Sequence, residues 1–190
     1  MRGRTESLEK PEDRLLAVGA EEYLKGMQAI TRFQIAVFEA CSRPLGRFLD
    51  GLRQLGRSSP VPFPLGQLDS KKIKPCWGFE KLQLRREWDG SSDFVGAYLP
   101  VSQRGSVYVY LLWDCEAGEQ WLTAVASFVI SNAKQRAEFL TKVQRVSPKR
   151  VDTFYNEVFI AETLSPQQTP QLEARLNKIA SGWIDILKRA

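Results

Sequence analysis

Val107-Tyr108-Val109-Tyr110-Leu111-Leu112-Trp113 is the stretch on which the fold turns. β-Branched and aromatic residues follow one another without a polar break. Such a run packs well on a pleated surface and poorly on a helix. It reads as the best strand in the chain. Upstream, Phe94 to Val101 reads as a second strand, preceded by turn-forming residues from Trp88 to Asp93. Before that turn, Leu82, Leu84 and Trp88 alternate with polar neighbours as a further strand. Downstream, Gln120, Leu122, Ala124, Ala126, Phe128 and Ile130 alternate as the next one. Leu122, Val125, Val129, Ala133, Ala137 and Leu140 also make a helical stripe there, but the glycine-containing turn Asp114–Gly118 between two β-type runs favours the strand.

The flanks are largely helical. From Glu21 to about Cys41, Tyr23, Met27, Ile30, Val37, Phe38 and Cys41 recur at three and four. A break or kink is expected at Pro44, with Leu45, Phe48, Leu49 and Leu52 resuming the pattern. Residues 1–18 read as a mobile lead-in, and the Pro-, Gly- and Ser-rich residues 56–70 as a connector. Ser131 is the expected cap of a helix whose Ala133, Ala137, Leu140 and Val143 or Val146 face inward, stopped by Ser147-Pro148. Phe154 to Leu164 reads as a strand. Thr169 and Pro170 open a C-terminal helix with Leu172, Leu176, Ile179, Trp183 and Leu187 on one face. The expectation is an α+β protein, one domain over residues 1–190. A mostly antiparallel sheet of four or five strands, in the order α-ββββ-α-β-α, carries amphipathic helices.

Composition narrows the function. A hydrophobic fraction of 43% is that of a folded chain, and no apolar run approaches the roughly 20 residues that span a bilayer. The N-terminus has no apolar core of a secretory signal. Cys41, Cys76 and Cys115 are odd in number and form no CxxC pair, against a disulfide scaffold or zinc site. A cytoplasmic location, no membrane and no metal are expected. The absence of histidine removes Ser-His-Asp and Cys-His catalysis and imidazole metal sites. Neither GxGxxG nor GxxxxGK[ST] occurs, so no nucleotide cofactor is expected, and no cofactor of any other kind.

Two basic stretches stand out in a chain of net charge +5. Lys71, Lys72, Lys74 and Arg85 belong to one; Lys134, Lys142, Arg145, Lys149 and Arg150 belong to the other. On a shared face they would suit nucleic acid or an acidic protein partner; otherwise they are solvated faces of a helix and a strand. Tyr108 and Tyr110, with Tyr98 and Trp88 on neighbouring strands, would stack bases if left open. The expectation is instead that helices cover them as core. The leading function is therefore non-catalytic binding or adaptation through a basic surface. The competing readings are a subunit of a larger complex and a magnesium-dependent nuclease using Asp114 at the end of the best strand. Asp69-Ser70-Lys71 has acid–x–lysine spacing but lies before the strands. Ser131-x-x-Lys134 matches a serine–lysine pair without its companion motifs.

Overall fold

The computed structural model describes residues 11–79, 92–102, 105–116 and 119–190. The chain divides into two compact units, Met1–Ala36 and Val37–Ala190. Helix α1 (Pro11–Leu55) runs through both. Within the first unit, Tyr23, Leu24, Met27 and Ile30 are exposed, and Lys25 pairs with Glu21 and Glu22. The helix starts earlier than the expected Glu21 and does not stop at Pro44. A proline inside a helix loses one backbone hydrogen bond. Burial of Cys41, Leu45, Phe48 and Leu49 around it offsets that loss.

The second unit is built on one six-stranded antiparallel sheet. Its strands are β1 (Lys74–Phe79), β2 (Ser92–Ser102), β3 (Gly105–Glu116), β4 (Glu119–Ile130), β5 (Asp152–Phe154) and β6 (Glu157–Leu164), in spatial order β1-β2-β3-β4-β6-β5. The α+β class is as the sequence implies, and the two short edge strands raise the count beyond five. The expected strand around Leu82, Leu84 and Trp88 lies outside the described residues. Residues 119–130 are a strand paired on both sides, by β3 and by β6. The expected strand 154–164 is two strands, because Tyr155-Asn156 makes a tight turn with Tyr155 at φ 50°. That left-handed conformation costs a non-glycine residue about 1–2 kcal/mol.

Helices α2 (Ala133–Val146) and α3 (Leu172–Arg189) join the later part of α1 on one face of the sheet. Asn132, not Ser131, caps α2: its side chain accepts from the Gln135 amide at 3.0 Å. The helix buries Phe139 and Val143 while Ala133 and Ala137 are exposed, because larger side chains outcompete alanine for the core. A 3₁₀ turn over Pro166–Gln171, capped by Ser165, precedes α3, so Thr169 is inside that turn rather than at the helix cap. The core centres on Phe128 of β4. Its ring meets Phe48 of α1, Phe139 of α2 and Trp183 of α3 at centroid distances of 5.5, 5.5 and 5.0 Å. Trp183 Nε1 donates to the Ala126 carbonyl at 2.7 Å, tying α3 to the same strand. Residues 56–70 do more than connect: Val61, Phe63, Leu65 and Leu68 are buried in this core.

Candidate functional site: the open face of the sheet

Side chains alternate across a strand, so each strand offers one set of residues to the helices and the other to the opposite face. Val95, Ala97, Leu99, Val107, Val109, Leu111, Ala126 and Ile160 go to the helix layer. The register places Lys74, Tyr98, Tyr108, Ser127, Phe159 and Asp152 in one row across the other face. Cys76, Gly96, Tyr110, Val125 and Ala161 form the adjacent row. The described helices of the second unit do not cover the tyrosines, against the expectation. All the described helix packing of the second unit is on the side of Val109 and Phe128, one residue out of phase with Tyr108 and Tyr110.

This open face holds a groove of about 730 Å³, with Tyr108, Tyr110, Leu112, Val125, Phe154 and Phe159 among its walls. Tyr98 and Tyr108 stack at 5.1 Å, and Phe94 leans on Tyr110 at 5.5 Å. The hydroxyl of Tyr110 donates to Glu157 Oε1 at 2.9 Å. Glu157 and Asp152 are the charged side chains of the lining, and no lysine or arginine is among the described residues there. Between Tyr108 and Phe159 stands Ser127, flanked on its own strand by Val125 and Val129. It is fully buried and its hydroxyl has no hydrogen-bond partner among the described residues. An unpaired buried hydroxyl costs about 1–3 kcal/mol. Gly96 lets β2 approach β3 closely: a Cβ at this position would fall 2.4 Å from the Val109 carbonyl oxygen and 2.5 Å from Tyr110 Cα.

The charges of the groove lining are acidic among the described residues, and burial dominates the titratable groups beside them. Burial, then the nearby Glu157 carboxylate, push the Cys76 thiol from 9.0 up to about 12, against a smaller opposing hydrogen bond from the Gly96 backbone. Burial raises the Tyr108 phenol, with Cys76, Tyr98 and Glu157 adding to it and a Ser106 hydrogen bond opposing. Tyr110 is raised by burial first and then by the charge and hydrogen bond of Glu157. At neutral pH these groups are un-ionised, the opposite of what nucleophilic catalysis requires. Cys41, buried beneath the helices, is likewise raised by burial.

The sequence-selected cations sit elsewhere, with one exception. Lys74 is exposed and stands on the open face in register with Tyr98, at the β1 edge. Lys71 and Lys72 are exposed on a 3₁₀ turn (Ser70–Lys72), whose start is capped by Asp69 accepting from the Lys71 amide at 3.0 Å. Asp69 is thereby a capping residue. Arg85 lies outside the described residues. Lys134, Lys142 and Arg145 are exposed on α2, and Lys149 is exposed in the turn after it. Since α2 covers the helix-layer side, its solvent face points away from the tyrosines. Arg150 covers α3: a Cβ on Gly182 would lie 2.5 Å from its Nη2. Asp114 pairs through its backbone with Ser92 and Trp121, and its side chain is outside the described set. Among the described residues no group of three or more acids or cysteines could hold a metal ion, and no helix is long and apolar enough to cross a membrane.

Glu157 and Phe159 were missed by the sequence reading. The signal was present: Glu157, Phe159, Ala161 and Thr163 alternate with the core-facing Val158, Ile160 and Leu164. No family model, curated protein or solved structure matches this chain.

Proposed function

We propose that the protein is a non-catalytic binding protein and that the open face of its sheet receives the ligand. The observation that carries this reading is the aromatic groove on the sheet face opposite the described helices of the second unit. Tyr108, Tyr110, Phe154 and Phe159 leave a volume of about 730 Å³ with few polar groups, the usual character of a small-molecule site. A sheet face of this composition gains free energy by being covered. The raised thiol and phenols favour binding over nucleophilic chemistry on the same surface. Titration with phenylnaphthylamine, a neutral apolar fluorophore, tests it. Saturable fluorescence enhancement is expected for the native protein. It should be lost in Ala161→Trp, which fills the groove from an exposed alanine on β6. Enhancement that is absent, or unchanged by Ala161→Trp, would refute the reading.

A second reading concerns a different surface. Lys134, Lys142, Arg145 and Lys149 are exposed with Glu138 as the acid among them, and none is held in an ion pair among the described residues. That arrangement favours an anionic partner, nucleic acid or acidic protein, on the outer side of the helix layer. Stacking of nucleic-acid bases on the tyrosine face is disfavoured, because Glu157 and Asp152 would face the phosphates.

A further inference from the structure

We infer that the groove on the open face selects an organic cation, an ammonium or substituted ammonium group carried on an apolar body, seated against Glu157 and its neighbouring rings. The inference rests on the groove being a ligand site and adds the ligand's chemistry. Three observations carry it. The charged side chains among the described lining residues are both acids, Glu157 and Asp152. Tyr110 engages Oε1 of Glu157, while Oε2 has no protein partner among the described residues. The carboxylate is therefore positioned by one phenol and still able to accept from a donor. Around it stand Tyr108, Tyr110, Phe154 and Phe159, whose ring faces attract a cation and repel an anion.

The apolar body has its own place. Leu112, Val125 and Ala161 continue the groove on β3, β4 and β6, along the strands from Glu157. An anionic ligand of the same shape would have to enter beside the Glu157 and Asp152 carboxylates, which repel it. The same negative field contributes to the raised Cys76 thiol.

A matched series separates the inference from the reading beneath it. Phenylbutylammonium, phenylbutanol and phenylbutanoate share one apolar body and differ in charge. Isothermal titration at neutral pH should rank them ammonium, then alcohol, then carboxylate, with roughly tenfold or more between the first two. Glu157→Gln keeps an acceptor for Tyr110 and removes the charge. It should weaken the ammonium compound severalfold toward the alcohol's affinity while leaving the alcohol unchanged. Equal binding of all three, or preference for the carboxylate, would overturn the cation inference and leave the groove standing. Binding of none would remove the groove and the inference together. A Glu157→Gln protein with native circular dichroism and undiminished ammonium preference would also overturn it.

Discussion

Cys76 shows how one residue reports the character of a face. Its thiol stands in the row of Gly96, Tyr110 and Val125, buried and within the field of Glu157, and is pushed from 9.0 up to about 12. The unfolded chain ionises first as pH rises, so the raised folded value favours the native state fully below the ordinary thiol range. Stability is then lost between pH 9.0 and about 12, and the raised Tyr108 and Tyr110 act in the same direction. Cys76→Ala should therefore flatten the alkaline loss of stability, followed by denaturant midpoints across that range. An unchanged pH profile would contradict the burial of the thiol. Gly96 makes a sharper demand. The atoms that a Cβ would strike are backbone and the root of Tyr110, which cannot swing aside. Gly96→Ala should destabilise by about 3 kcal/mol in chemical denaturation, at the upper end of the overpacking range. A loss below about 1 kcal/mol would show that β2 and β3 can spread apart.

At the level of elements, α2 divides its two faces cleanly. Phe139 and Val143 go to Phe128 and the core, while Lys134, Lys142 and Arg145 go to solvent. Replacing Lys134, Lys142, Arg145 and Lys149 by glutamine should leave the melting temperature within a few degrees, since exposed charges contribute little. If this surface holds nucleic acid, the same variant should lose binding and its steep salt dependence in fluorescence anisotropy. Unchanged binding by the variant would move the contact elsewhere. Arg150 is left out of the set because it packs over Gly182. The elements were also where the sequence was most legible. The run 107–113 and the alternation of 119–130 announce paired strands, and the stripe Leu172–Leu187 announces α3. Edge strands were the weak point: β1 contains Pro75 and Gly78, and β5 is only three residues long, so neither develops a pattern. The site was half legible. Tyr108 and Tyr110 were visible as an aromatic pair, but which face the helices take depends on contacts distant in sequence, such as Phe48 and Trp183 with Phe128.

For the whole molecule, the sheet and its helix layer form a unit that begins at Val37, the first residue of the continuous core. A chain lacking residues 1–36 should accordingly fold, melt cooperatively and still bind phenylnaphthylamine. Aggregation or a non-cooperative melt would show that the first unit is required for the second. Two surfaces of opposite character result from this architecture: carboxylates and rings in the groove of the open face, and the lysines and arginine of α2 on the outside of the helix layer. The central claim is that the open face is the one that receives the ligand. Methyl-detected NMR resolves it most directly, because β3 and β4 carry methyl groups on both faces. Saturation with phenylnaphthylamine should shift Leu112, Val125 and Val129 and give cross-peaks from them to the probe, leaving Val107, Val109 and Leu111 in place. Shifts confined to the helix-side methyls, or none at saturation, would contradict the assignment of the open face.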